Sequence, residues 1–452
     1  MTTKSLLLGT IAGIAIVGTA QAADLPMTKG EAVEYVKVCS AFGPGFFYIP
    51  GSDTCLKIGG EIRADYRGFG GSGSGRVETT VNGGTPTVTR SNFKWNRNND
   101  RTAFNTQARI WFDARTQTDW GLLRSYFQIN ADSHPISHQG RGGVYNGNTF
   151  SIDKAFIQFG GLTAGYAHSF FGFYDNEYGD TIWAPYYAES NTVNLLAYTA
   201  QFGGGFSATL SVEDGRDHRS NVAVKQGGQQ VPDVVGQLRW DQSWGSVAIQ
   251  AAGHQFRSAE AVDANGVPLL ATDPNYIPHK QKYGWAVGGT GLLKLPFIDG
   301  GHFIVEGQYA DGALDYLGAG NSIFNNYSDY YFGSNNTFRA GKGWSVVGEL
   351  GGNITPVLNA NLVASYIDVR YDDLLGFAGK KSFDKEFTVA ANLTYTIVKG
   401  LTIGAEVAYT RADFNLGSSS TTTTDGETTT TVTNTKATPN IWQAGIRIRR
   451  VF

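Results

Sequence analysis

Cys39 and Cys55 are the only two thiols of this 452-residue chain, and they bracket "SAFGPGFFYIPGSDT", a stretch rich in Gly, Pro and aromatic residues. Metal or redox chemistry asks for more than this: the pair has neither Cys-x-x-Cys spacing nor a histidine beside it. His134 and His138 in "HPISH" stand four apart, but in a Pro-containing segment and without a third ligand nearby. "GFGGSG" at Gly68 to Gly73 has G-x-G-x-x-G spacing, but "SGRVETTVNGG" follows it and offers no helix to hold a pyrophosphate, so a flexible loop is the reading. The segment 169–193 carries Asp175, Glu177, Asp180 and Glu189 among Phe170, Phe171, Phe173, Tyr174, Tyr178, Trp183, Tyr186 and Tyr187. No nucleophile elbow, P-loop or assembled acid, base and nucleophile accompanies these carboxylates, which points away from an enzyme. Nothing in the chain calls for a cofactor or a metal.

The ends and the composition say where such residues would work. "MTTKSLLLGTIAGIAIVGTAQAAD" places Lys4 before an apolar run and then a small-x-small cleavage site, so residues 1–23 read as a secretory signal peptide, too short in its apolar part to cross a membrane as a helix. Residues 24–55 read as a periplasmic lead-in. An exported chain tolerates disulfides, so Cys39 and Cys55 read as a bridge, contributing roughly 3 kcal/mol in the chain-entropy model. A formal charge of −3 makes nucleic acid no obvious partner. Aromatic residues at 13% and 59 glycines are unusual for a helical enzyme. No apolar run after residue 23 reaches helix-spanning length, but the strands of a membrane barrel would not show one either.

Period-two alternation supplies the positioning elements. In "LKIGGEIRADYR", Leu56, Ile58, Ile62, Ala64 and Tyr66 share one face, and Lys57, Glu61, Arg63, Asp65 and Arg67 the other. "FTVAANLTYTI" and "LTIGAEVAYT" repeat the pattern around a tight turn at Val398-Lys399-Gly400. Sixteen such strands are predicted, near 56–67, 101–114, 121–131, 151–160, 162–168, 194–202, 205–213, 233–241, 246–256, 283–293, 301–310, 344–354, 357–370, 386–397, 400–411 and 440–452. Short and long connections alternate throughout. One trimmed end and one elaborated end describe an outer-membrane β-barrel, with short periplasmic turns and long extracellular loops. Lipid demands closure, so strand 440–452 is expected to pair with strand 56–67. The terminal "IWQAGIRIRRVF" alternates Trp442, Ala444, Ile446, Ile448 and Phe452 against Gln443, Gly445, Arg447 and Arg449. "TTTTDGETTTTVTNT" in the last connection reads as low-complexity loop without an assigned role.

"EYVKVCSAFGPGFFYIPGSDTCLKIGGEIRADYR", "KAFIQFGGLTAGYAHSFFGFYD" and the terminal strand resemble the alphaproteobacterial porins of the rhizobial and brucella type. The resemblance implies a homotrimer of sixteen-stranded, water-filled channels for passive diffusion of ions and small hydrophilic solutes. It implies that 169–193 folds into the bore as a constriction, presenting Asp175, Glu177 and Asp180. Lys57, Arg63, Arg67, Arg109, Arg124, Arg447 and Arg449 lie on consecutive strands around the expected seam and form a basic arc of wall. An acidic loop facing that arc would set a transverse field across the pore. Phe452 resembles the terminal aromatic assembly signal of outer-membrane proteins. The partners that follow are outer-membrane lipid and lipopolysaccharide, the barrel-assembly machinery, further copies of the chain and the solutes. Two other readings stand beside this one: a substrate-selective channel for sugars, amino acids or anions on the same barrel, and a secreted β-sandwich binding protein.

Overall fold

The computed structural model describes residues 37–97, 99–133, 147–220, 226–262, 265–270, 272–273, 276–324, 327–333, 337–372, 382–424 and 427–452. The proposed signal peptide and the His134/His138 pair lie outside these residues. Sixteen strands form one antiparallel barrel. They are β1 (Cys55–Val81), β2 (Thr102–Thr118), β3 (Gly121–Ser133), β4 (Asn148–Phe159), β5 (Leu162–His168), β6 (Thr192–Gly203), β7 (Phe206–Glu213) and β8 (Asp233–Gln242). β9 (Gly245–Arg257), β10 (Gln281–Lys294), β11 (Asp299–Asp311), β12 (Lys342–Thr355), β13 (Leu358–Tyr371), β14 (Ser382–Val398), β15 (Leu401–Thr424) and β16 (Glu427–Val451) complete it. Closure runs through β1 and β16, in unbroken register from Glu61↔Val451 to Val81↔Thr431. Each predicted strand lies within one of these sixteen, give or take a residue at its ends.

The polarity of the wall is that of a protein solvated by lipid. Ile58, Ile62, Tyr66, Phe104, Ile110, Trp442, Ile446 and Ile448 are exposed on the outer face, whereas Glu61, Asp65, Gln107, Asp113, Glu306, Glu349, Glu386 and Glu406 are buried within. An inside-out arrangement would be unstable in water and is what a closed barrel in a bilayer requires. Arg450 breaks the outer alternation at the periplasmic rim, where its Nη1 donates to the Lys399 carbonyl at 3.0 Å.

Two expectations are corrected. Residues 68–81 and the Thr-rich segment are not loops: β1 continues to Val81, and β15 and β16 run to Thr424 and from Glu427. With the hairpin strand Thr87–Lys94 they form a four-stranded ribbon above the wall. Three of the four glycines of "GFGGSG" sit under aromatic rings that occupy the space a Cβ would need: Trp442 over Gly70, Trp95 over Gly71 and Phe93 over Gly73. The Thr and Val of 429–435 are β-branched residues that fit a paired strand once a partner is present.

Cys39 and Cys55 form the disulfide. It ties the segment before the barrel to the first residue of β1, and Cys39 N–H donates to the Phe46 carbonyl at 2.9 Å. Phe46 packs beneath two inward cations, with Arg115 4.9 Å and Lys57 5.8 Å from its ring centroid. The stapled loop thus sits against the inner wall at the end of the barrel that carries the short turns.

Candidate functional site

The segment between β5 and β6 turns into the barrel and follows its inner wall. The helix Tyr174–Glu177 is one turn long, so most of its backbone donors need partners outside the segment. The wall supplies them. Gln237 Nε2 on β8 donates to the Phe170 and Gly172 carbonyls, both at 3.0 Å. Tyr174 donates through its hydroxyl to Glu349 on β12 at 2.7 Å, and the Asp180 N–H donates to the same carboxylate at 3.1 Å. On β15, Glu406 accepts the N–H groups of Ile182, Trp183 and Ala184 at 2.5, 2.8 and 2.8 Å. Tyr187 donates its N–H to Ser365 on β13 at 2.7 Å and its hydroxyl to Glu386 on β14 at 2.8 Å. Trp183 extends past β16, and its Nε1 donates to Asp65 of β1 at 3.0 Å.

Aromatic packing seals the upper side of the loop. Phe171 and Tyr187 are buried with Leu314, Tyr316 and Leu317 of the β11–β12 connection. His218, from the β7–β8 connection, stacks on Tyr316 with centroids 4.3 Å apart. Glu189 is buried beside it, 3.9 Å from His218 Nδ1. The loop thereby lines the wall from β8 to β15 and touches β1 through Trp183, and two cavities stay open beside it.

The three carboxylates expected at the constriction take three different places. Asp175 is half-buried: its Oδ1 accepts the Tyr186 hydroxyl and its Oδ2 lies 3.5 Å from His168 Nδ1. Burial pushes it up to about 7, against the Lys154 charge and with that of Asp153. Glu177 is held by the guanidinium of Arg239 on β8. Asp180 is exposed to the lumen, and its carboxyl is pushed up to about 6 by the loop and wall around it and by the negative Glu349. Asp180, His302 and Glu349 offer ligand atoms within 4.8 Å of one another, the one set among the described residues with potential to hold a metal. Hydrogen bonds already account for the grouping, since His302 Nε2 contacts Glu349 at 2.9 Å and the other Glu349 oxygen anchors the loop.

The seam arginines are paired in part. Glu61 contacts Arg449 at 2.5 Å, Arg109 at 3.5 Å and Arg63 at 4.0 Å, while Asp65 takes both ends of Arg447 at 2.7 Å. Arg67 is buried against Gln443 and stacks on Trp183, 5.4 Å from its centroid. In these rows five arginines share two carboxylates, which leaves an excess of positive charge facing the bore. Arg124 forms a bidentate pair with Asp113 at 2.9 and 3.0 Å. Lys57 lies at the stapled loop and not in the constriction. A cavity of about 420 Å³ joins Arg63, Arg109, Arg447 and Arg449 to Asp180, Asn361 and Asn392. A second, of about 450 Å³, is lined by Arg124, Lys154, Arg239, Tyr126, Phe156 and Phe173.

Sequence reasoning missed the wall carboxylates Glu306, Glu349, Glu386 and Glu406. Their signal was present: each is an acidic residue at an inward position of a well-alternating strand, where a segment folded into the barrel needs acceptors for its unpaired N–H groups.

The family described as the porin subfamily matches residues 24–444. Porin Omp2a of Brucella suis biovar 1 is 29% identical over 432 residues, covering 91% of this chain and 93% of that protein. Porin Omp2b of Brucella canis is 28% identical over 465 residues, covering the whole of both chains. Among solved structures, the outer membrane channel DcaP of Acinetobacter baumannii superposes with a TM-score of 0.61 at 16% identity, covering 90% of this chain and 99% of that one.

Proposed function

Since this chain belongs to the porin family and is a channel of the Gram-negative outer membrane, we propose that it passes ions and small hydrophilic solutes by passive diffusion, without enzymatic activity. The observation that carries this reading is the chemistry of the cavity at the loop tip. Arg63, Arg109, Arg447, Arg449, Asp180 and an Asn/Thr wall offer charge and hydrogen bonds with no aromatic surface for a particular solute to grip. The arginines opposite Asp180 set a transverse field that orders water and disfavours apolar solutes. Their excess over carboxylates favours anions when Asp180 is protonated.

One observation favours a solute-selective channel as a second reading. Tyr126 and Phe156 stack with centroids 5.4 Å apart in the other cavity, with Arg124 lying 5.2 and 5.5 Å from the two rings. Such a surface suits a solute with one apolar face and an anionic group. Flux through proteoliposomes decides between the two. Rates that fall smoothly with solute size and never saturate support diffusion; flux of one anionic solute that saturates at millimolar concentration supports the second reading.

The working unit is taken as a homotrimer, on the family resemblance, and native mass measurement checks it. Residues 1–23 are taken as removed on export, which the N-terminal sequence of the mature protein tests. Phe452 is taken as the signal read by the barrel-assembly machinery. In support, its backbone exchanges hydrogen bonds with Gly60 at 2.9 and 3.0 Å and its ring covers that glycine, so the last residue is a working part of the seam.

A further inference from the structure

The cavity of about 450 Å³ beside the constriction loop holds a group that unspecific diffusion does not need. A bulge in β4 supplies it. Gln128 pairs with Lys154 but the next residue, Ile129, pairs with Ile152, so Asp153 has no partner on β3. Ile152 is exposed on the outer face. The extra residue lets Asp153 and Lys154, neighbours in sequence, both turn into the lumen. Asp153 takes up the amides of the wall: its oxygens accept from Gln128 Nε2 and Asn130 Nδ2, both at 2.8 Å. Lys154 is left over. It lines the cavity and, among the described residues, forms no hydrogen bond and no ion pair.

The other charges beside the cavity are already held. Arg124 pairs with Asp113, and its Nη1 donates to Gln158 at 3.1 Å. Arg239 binds Glu177 and lies 2.9 Å from Asp241. Asp175 accepts the Tyr186 hydroxyl and faces His168. The Lys154 ammonium is therefore the one charged side chain of the lining without a partner among the described residues.

Its neighbours are rings. Phe156 follows two residues later on the same face of β4, directly opposite Tyr126 of β3. The two rings stack with their planes 24° apart. Phe156 and Phe170 of the loop pack against the buried cluster of Ala167, Val193 and Leu195. On the loop side Phe173 is buried under Arg239, 4.3 Å from its ring centroid. One end of the cavity is thus aromatic, and a free ammonium stands one strand repeat away, about 7 Å along β4.

A solute that satisfies both ends carries a flat apolar ring and one anionic group close to it. We propose that this cavity binds small aromatic carboxylates, with the ring against Tyr126 and Phe156 and the carboxylate on Lys154. An aliphatic acid forgoes the ring contact. A neutral aromatic leaves the ammonium unpaired. A zwitterionic amino acid brings a second ammonium to a site whose carboxylates are engaged. Binding has to be weak, since a channel must also release what it holds. The inference rests on the solute-selective reading above and narrows it to one class.

The test uses the full mature chain in planar bilayers, with sodium benzoate as the probe. Its half-blocking concentration is read from the potassium chloride current and its noise. Block is expected to saturate in the millimolar range. Acetate, cyclohexanecarboxylate, benzamide and phenylalanine should each block at least about fivefold more weakly. Lys154→Gln should raise the half-blocking concentration of benzoate about tenfold, the loss of one charge-assisted contact. Lys154→Arg should keep most of the block. Phe156→Leu should weaken benzoate about fivefold and leave acetate unchanged. Benzoate that blocks no better than acetate, or equally well in Lys154→Gln and the wild type, overturns the proposal. So does block by benzamide or phenylalanine as strong as that by benzoate. Heat-modifiable migration certifies that each variant is folded, and the solute series on the wild type decides even where a variant is not. If gluconate saturates the channel and benzoate does not, the solute-selective reading stands and its narrowing to aromatic carboxylates falls. If no solute saturates, both fall and diffusion remains, so the two failures are distinguishable.

Discussion

Replacing Glu406 should release the tip of the constriction loop without opening the barrel. The residue is 4% exposed, and its carboxylate accepts three consecutive backbone N–H groups of the loop. Hydrogen bonds to a charged group contribute about 1.5–3 kcal/mol each. Water in the lumen re-solvates the freed N–H groups and recovers part of this, leaving a net cost of about 3 kcal/mol for Glu406→Ala. At 1.4 kcal/mol per factor of ten, detached tip conformations become about 100-fold more populated. Glu406→Gln keeps one acceptor oxygen and turns an amide NH2 toward donors, so about half that cost and a roughly tenfold rise are expected. The remaining anchors, at Gln237, Glu349, Ser365 and Glu386, keep the rest of the loop on the wall. The effect should appear in single-channel recordings as open-channel noise and brief substates, with a modest rise in mean conductance. It should also reach selectivity, because Trp183 leaves with the tip and its ring lies 5.4 Å from both Arg67 and Arg447. An Ala variant with wild-type noise, substates and reversal potential would refute the reasoning, and so would an Ala variant no worse than the Gln one.

Replacing Arg63 and Arg109 together by Ser removes two charges from the bore side of Glu61; the reversal potential under a salt gradient should move toward cations. Asp175 and Asp180 both hold their protons above the ordinary carboxyl range, at about 7 and about 6. The docked loop then binds more protons than the released loop between about pH 4 and 7, so docking is tightest in acid and weakens as pH rises through that window. Channel noise should increase from pH 5 to pH 8, and selectivity should shift toward cations as Asp180 ionises, a shift that Asp180→Asn abolishes. Reduction of Cys39–Cys55, or Cys39→Ser with Cys55→Ser, should lower stability by roughly 3 kcal/mol on the chain-entropy estimate. Protease access confined to the segment before β1 is the expected sign, and the native protein should show no thiol labelling.

What the sequence made legible depended on how local its cause was. Period two is a local property, so each strand was readable from its own residues, down to the seven of Leu162–His168. The ribbon was not, because the rings that cover its glycines belong to other segments; Trp442 lies more than 370 positions from Gly70. Read alone, Gly and Thr repeats say flexible loop, and register with a partner reverses their meaning. The arginines were assigned to the correct face by alternation, but which of them are neutralised follows from strand register, with Arg109 directly opposite Glu61, Arg447 directly opposite Asp65, and Arg449 diagonal to Glu61. Glu61 serves three arginines, Arg63 two positions along β1, Arg109 on β2 and Arg449 on β16.

The constriction loop shows the same limit in sharper form. Its aromatic residues announced a packed segment, and its carboxylates suggested an acidic rim. Two of those carboxylates are spent within the lumen lining, Asp175 on Tyr186 and Glu177 on Arg239. The acidic groups that matter to the loop's position are instead on the wall, where Glu349, Glu386 and Glu406 would be costly as isolated buried charges. The loop, having too little secondary structure to satisfy its own N–H groups, would be equally costly inside the barrel alone. Each cost is removed by the other. The wall carboxylates and the loop donors therefore form one unit, and a substitution on a strand far from residues 169–193 in sequence can set the width and the charge of the pore.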